Sequence, residues 1–258
     1  MVRLTSRLAS TVAVSMLALT LAACSDSSDK ETTSAPDAPA ATTPAETATA
    51  ETTAPAVTPA AEPAKPATPV VVPTSDGDLD MAKVLEPGPL KEMVLGKDDA
   101  PVTIVEYMSL TCGHCGNFHK NTFDPLVQKY IDSGKARLIV REFPLDPRAA
   151  AAIMLARCAP ENQFFPMISV LFKQQYTWAA AEDARAELLN IARLAGFTQE
   201  SFEACLTNQK LLDDVNSVRN KAAEQFGVNA TPTFIINGKR YSGDMSIDQM
   251  SAIIDPLL

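Results

Sequence analysis

The run Val102-Thr-Ile-Val-Glu-Tyr-Met108 is β-branched and apolar almost throughout, the pattern of a buried strand. Ala136-Arg-Leu-Ile-Val-Arg-Glu-Phe143 has the same character and is closed by Pro144. Between them the pattern turns helical. A helix is expected to begin at Cys112 and continue through Asn117 to Lys120. Asp124-Pro125 reads as an N-cap with proline at N1, opening a second helical stretch to about Ile131 that Ser133-Gly134 stops. Strand, helix and strand of these lengths make a βαβ unit. Upstream, Lys91 to Leu95 is a short strand and Gly96 to Pro101 a turn.

From Asp146 to about Phe226 no strand pattern occurs, and helices are predicted over 147–158, 162–174, 183–195, 199–206 and 211–226. Trp178, Phe164, Phe165 and Phe172 in this block are read as core, with a share of them available for an apolar rim. Strand character returns at Thr233 to Ile236, followed by the hairpin signal Asn237-Gly238 and a second strand at Lys239 to Tyr241. Ser246 to Gln249 is a capping box that opens a last helix. The predicted order is β-β-α-β, a helical block, then β-β-α.

The first third of the chain cannot belong to this core. Arg3 and Arg7 precede an apolar run of about ten residues, Val12 to Leu21, which is too short to span a bilayer. Leu21-Ala22-Ala23-Cys24 resembles the bacterial lipobox, whose cysteine is lipidated and becomes the first mature residue. Residues 1–23 are therefore read as a lipoprotein signal peptide. Residues 24–80 are mostly Ala, Thr, Pro and Glu and bury too little to offset the entropy of ordering. They are read as a disordered tether with a mean reach of roughly 40 Å. Export places the cysteines where disulfides persist. The net charge of −9 shows no basic patch, so no nucleic-acid partner is expected.

The chemistry is concentrated in Ser109-Leu-Thr-Cys-Gly-His-Cys-Gly-Asn-Phe-His119, which holds two of the five cysteines and both histidines. Covalent haem needs CxxCH, and Gly116 stands at the histidine position. Zinc could draw on Cys112, Cys115 and His119, but no second pair nearby completes the set, so no metal is expected. His119 is read as a surface or partly buried residue one turn along the helix. A purely structural Cys112–Cys115 bridge would close too small a loop to stabilise much. A redox disulfide remains, and it needs no cofactor. At a helix N-terminus the Cys112 thiolate is favoured by orphan N–H groups and the helix dipole. His114 can donate a hydrogen bond or charge to the same sulfur.

The strand–CGHC–helix unit, the helical insertion and Ala230-Thr-Pro-Thr-Phe-Ile-Ile-Asn-Gly238 together resemble the thioredoxin superfamily, and within it the DsbA-like branch of exported thiol oxidoreductases. The resemblance covers about Leu90 to Leu258. It implies an α/β thioredoxin fold over residues 81–258, with an all-helical subdomain inserted at 146–226. It also implies that Pro232 is cis and that its loop, with Thr231, holds substrate peptide against the cysteines. Gly113-His114 is similar to the dipeptide of protein disulfide isomerases, which implies an oxidising or isomerising potential. By the same resemblance Cys115 is expected to be the buried resolving thiol, and Glu106 the buried acid that moves a proton to or from it. A solvent-facing strand acid is the alternative for Glu106.

Cys158 and Cys205 are left over, and in an oxidising compartment they most simply pair. The alternative is two buried free thiols. The expected protein is a monomer, lipid-anchored on the periplasmic side of a bacterial envelope membrane. It exchanges disulfides with unfolded or partly folded exported proteins and with a membrane redox partner. Reductase or isomerase action, or a non-catalytic metal-binding or chaperone-like role, are the competing readings.

Overall fold

The computed structural model of the protein describes residues 69–258. The residues read as a signal peptide, Cys24 and most of those read as a tether lie outside the described residues. Among the described residues the sheet has six strands. These are β1 (Gly77–Asp78), β2 (Met93–Leu95), β3 (Val102–Met108), β4 (Ala136–Glu142), β5 (Thr233–Ile236) and β6 (Lys239–Ser242). Their spatial order is β1-β6-β5-β3-β4-β2. β3 and β4 are parallel and the other neighbours antiparallel. All seven residues of β3 are buried, as its run of apolar residues requires of a central strand.

Side chains alternate across a strand. Ile104 and Met108 therefore point with Glu106 into the larger core, which also holds Cys115 and Phe118. Val105 and Tyr107 point the other way, into a smaller core with Phe226 and Val228. Glu106 stands opposite Val140 on β4 and Phe234 on β5, in the middle of the sheet.

The folded part begins before residue 81, which corrects the expected tether boundary. Gly77–Asp78 pairs with Arg240 and Lys239, and Asp80 caps the short helix α1 (Met81–Val84). Two residues are too few to show a strand pattern in sequence.

The βαβ crossover also differs in detail. Helix α2 (Gly113–Asn121) is followed by Thr122 and then α3 (Phe123–Leu126), which runs into a π-helical turn at Val127–Ile131. Asp124 and Pro125 lie inside the first turn of α3 rather than at its cap. Proline lacks an N–H and crowds the carbonyl four residues back, so the break falls at Thr122 (φ −118°). Thr122 Oγ1 donates to the Met245 carbonyl at 2.9 Å and fixes the bend.

The insertion is helical throughout: α4 (Pro147–Cys158), α5 (Phe164–Lys173), α6 (Gln175–Ala179), α7 (Ala184–Leu194), α8 (Gln199–Leu206) and α9 (Gln209–Phe226). The expected single helix over 162–174 is a short 3₁₀ turn followed by α5. Asp146, Asp183, Thr198 and Asn208 cap α4, α7, α8 and α9 through their side chains. Trp178, Phe164 and Phe172 are fully buried, as a core reading requires, whereas Phe165 is half-buried. At the β5–β6 hairpin Asn237 and Gly238 both take positive φ, 44° and 90°, as a two-residue turn of this hand demands. The closing helix α10 (Ile247–Ile254) starts with the predicted capping box. Among the described residues no helix is long and apolar enough to cross a membrane.

Cys158 and Cys205 are disulfide-bonded and join the end of α4 to α8, closing a loop of 47 residues. On the chain-entropy model such a loop stabilises the fold by about 4 kcal/mol. Replacing both cysteines by alanine is expected to lower the unfolding free energy by about that amount in urea titrations. A loss below about 1 kcal/mol would show that the bridge constrains an already ordered chain.

Candidate active site

β3 ends at Met108, and four residues separate it from the start of α2 at Gly113. Cys112 is the N-cap of that helix and is half-buried. Cys115, one turn in, has no exposed surface. Both are free thiols. Their environments push them apart. The hydrogen bond from the Cys115 thiol is the largest influence on the Cys112 sulfur, and burial opposes it. The Thr231 side chain and the backbone N–H groups of Cys115 and His114 add to it, bringing the pKa of Cys112 down to about 5. Burial pushes the Cys115 thiol up, and the sulfur of Cys112 and the charge of Glu106 reinforce this. The pair is thus built as a thiolate at the rim and a thiol in the core.

The loop before β5 faces the rim sulfur. The Thr231–Pro232 peptide is cis. Sγ of Cys112 lies 3.1 Å from the Thr231 carbonyl oxygen, to which it donates when it is protonated. The Thr231 hydroxyl is buried without another partner. Gly243 N–H donates to the Pro232 carbonyl at 2.8 Å and Thr233 Oγ1 donates to Ala230, so the loop is held from both sides.

The side chain of His114 does not reach the sulfur, which corrects the expectation for it. Its ring is exposed, with Nδ1 2.8 Å from Asp244 Oδ1. Asn117 Nδ2 donates to the other Asp244 oxygen. Burial raises the Asp244 carboxyl, but these two hydrogen bonds outweigh it and hold the group below its ordinary value. His114 therefore acts on Cys112 through its backbone N–H.

Glu106 is fully buried, and the solvent-facing alternative does not hold. Its Oε1 lies 2.9 Å from His119 Nε2, while Oε2 is buried without a partner. His119 is buried too, more deeply than the surface or partly buried position expected for it. Its ring stacks on Phe123 at 4.7 Å and Phe172 at 4.2 Å, both at 21°. Period 3.6 puts it directly after Cys115 on one face of α2.

Gln175, from the insertion, closes the site from below. Its Nε2 donates to the carbonyls of Leu110 and Cys112, both at 2.8 Å. A Cβ on Gly116 would meet Gln175 Oε1 at 2.5 Å, so glycine after the motif makes room for this clamp. Thr111 Oγ1 donates to Asp146, which also caps α4. The cysteine turn is therefore tied to two helices of the insertion. Among the described residues no group of three or more His, Cys, Asp and Glu side chains is placed to hold a metal ion.

A family model described as thioredoxin matches residues 90–256. The structure of α-DsbA1 from Wolbachia pipientis superposes with a TM-score of 0.63 and 32% identity, covering 68% of this chain and 94% of that one. The chain belongs to the DsbA-like branch of the thioredoxin family. A candidate protein-disulfide oxidoreductase of Rickettsia bellii is 35% identical over 165 residues, 64% of this chain and 63% of its own length. Its counterpart in Rickettsia felis is 35% identical over 168 residues, 65% of this chain and 60% of its own. The chain thus spans about three-fifths of the length of these relatives. In this DsbA-like chain the cysteines, Thr231, Pro232 and Glu106 converge where the sequence motifs placed them. Gln175 and the burial of His119 were not foreseen. The histidine four residues after Cys115 was the available signal for the second, whereas nothing in sequence marks Gln175.

The low pKa of Cys112 makes the stability of the reduced DsbA-like domain depend on pH. A depressed pKa contributes stability that is complete above the unfolded value, 9.0, and fades as pH falls toward the folded value, about 5. The oxidised form has no such thiol. Urea midpoints of the reduced form should therefore fall relative to those of the oxidised form between pH 8 and 5. A gap that stays constant over that range contradicts the assignment.

Proposed function

We propose that the chain is an exported thiol:disulfide oxidoreductase that oxidises cysteine pairs in unfolded or partly folded envelope proteins. The observation that carries this reading is the asymmetry of the cysteine pair. A sulfur held as thiolate at the helix N-terminus stabilises the dithiol form, and a stable dithiol makes its disulfide a strong oxidant. The names of the Rickettsia relatives support disulfide exchange as the reaction class and carry no direction.

In the oxidised enzyme a substrate thiolate attacks Sγ of Cys112. The Cys112–Cys115 bond breaks, its electron pair goes to Sγ of Cys115, and Glu106 supplies the proton that neutralises it. A second substrate thiolate then attacks the substrate sulfur of the mixed disulfide, and Cys112 leaves as a thiolate that needs no proton. The substrate has lost two electrons and the enzyme has gained them. Thr231 and Pro232 hold the substrate backbone beside Cys112. A membrane redox partner accepts the two electrons and restores the disulfide, so the redox pair itself is the cofactor. Residues 1–23 direct export, and Cys24 carries the lipid of a monomer tethered on the periplasmic side of a membrane.

Equilibration of the domain with glutathione is expected to give a reduction potential of about −120 to −180 mV. A value of about −270 mV would make it a reductase. Cys112→Ser is expected to abolish exchange with a reduced cysteine peptide, and Cys115→Ser to accumulate the mixed disulfide. Exchange at the wild-type rate by the Cys112→Ser protein would refute the assignment of the nucleophile.

A further inference from the structure

We propose that His119 is a positioning residue for exchange: it reloads Glu106 with the proton that Cys115 consumes in each turnover. The inference rests on the exchange reading above and adds the path by which a proton reaches a sealed site.

The need follows from burial. When the disulfide opens, Cys115 leaves as an anion in a place with no exposed surface. An unpaired buried anion is costly, so a proton must arrive with the bond cleavage. Glu106 is the acid beside it, but Glu106 has no exposed surface either and cannot collect a proton from water. His119 touches Glu106 at 2.9 Å and keeps 7% of its surface exposed. The proton that Glu106 gives up must come back along a hydrogen bond, and His119 is its side-chain partner among the described residues.

The geometry is that of a fixed carrier. Phe123 from α3 and Phe172 from α5 clasp the ring on its two faces. Phe118 meets its edge at 5.4 Å. The stacking holds Nε2 on Glu106 Oε1 and commits that nitrogen. Nδ1 has no hydrogen-bond partner among the described residues. Oε2 of Glu106 is likewise unpartnered, an orphan acceptor of the kind that a purely structural pair would cover. The Cys115 thiol, on the same helix as His119, feels the charge of Glu106. Phe123 of α3 and Phe172 of α5 stack on the His119 ring, and Phe234 of β5 stands opposite Glu106.

The balance of the step is simple. Glu106 gives its proton to Sγ of Cys115 as that sulfur takes the electron pair of the broken disulfide. His119 passes a proton from Nε2 to Glu106 and gains one from water at Nδ1. Reoxidation runs the same transfers backwards.

The test is single-turnover reduction of the oxidised enzyme by a reduced cysteine peptide, followed from pH 5 to 8 in H₂O and D₂O. In His119→Gln an amide can still donate to Glu106 but cannot relay a proton. The rate is expected to fall about 100-fold and to acquire a solvent isotope effect that the wild type lacks. His119→Ala should fall similarly and recover when imidazole is added. A folded His119→Gln protein with the wild-type rate and no isotope effect overturns the proposal. Exchange between the His119 ring N–H and D₂O, read by NMR in the wild type, must be faster than turnover; a ring proton that outlives turnover overturns it even if no variant folds. Failure of the wild type to react with the peptide at all would instead remove the exchange reading itself.

Discussion

Everything at this site depends on one electrostatic contrast across a single helical turn. Sγ of Cys112 sits where the first N–H groups of α2 have no carbonyl to bond, and Sγ of Cys115 sits where the same helix is already surrounded by core. One sulfur is favoured as an anion and the other as a neutral thiol. The contrast requires the helix to start at Cys112 and no earlier. It also requires the turn before it to be immobile, since an N-cap that frays would lose the aim of its N–H groups. The Gln175 amide and the Thr111–Asp146 hydrogen bond provide that fixity from the insertion. The helical subdomain is in this sense part of the thiol's environment and more than a cover for the sheet.

The same logic gives the exposed histidine its place. His114 is bound to Asp244, a carboxylate that Asn117 also holds. A histidine facing the sulfur would stabilise the thiolate directly. Here the ring instead bonds a carboxylate 2.8 Å away and is directed at Asp244 rather than at the sulfur. The backbone N–H groups and the Cys115 thiol carry the stabilisation instead, and these do not titrate with the histidine. The low pKa of Cys112 is therefore built from groups whose charge state is constant over the neutral range.

How much of this could be read from sequence follows the range of the interactions. β3, β4 and the Asn237-Gly238 hairpin are local patterns and lie where the pattern put them. The cysteine motif, the Thr-Pro dipeptide and the leftover cysteine pair carry their chemistry in residue type. What sequence did not show is tertiary. β1 is a two-residue strand defined only by its partner β6. The bend at Thr122 is set by Pro125 three residues later and by a hydrogen bond to Met245, which outweigh the local Asp-Pro signal. Gln175 is an ordinary polar residue until α6 brings it beneath Gly116. His119 reads as a surface or partly buried position until the acid on β3 and the two phenylalanine rings enclose it.

The buried Glu106–His119 pair is hard to justify as a stabilising device. A leucine at position 106 would continue the apolar face formed by Ile104 and Met108 and would leave no orphan oxygen. An unsatisfied buried acceptor costs about 1–3 kcal/mol, and a buried ion pair rarely recovers its desolvation against well-packed apolar side chains. Strand periodicity makes the choice sharper. Shifting the acid by one residue would move it to the Val105 and Tyr107 face, away from Cys115. Placing an acid here, with a histidine one turn beyond the buried sulfur on the facing helix, gives up stability at a point where core packing offered an easy alternative. That loss is understandable if the pair is kept for moving a proton to a sulfur that water cannot reach.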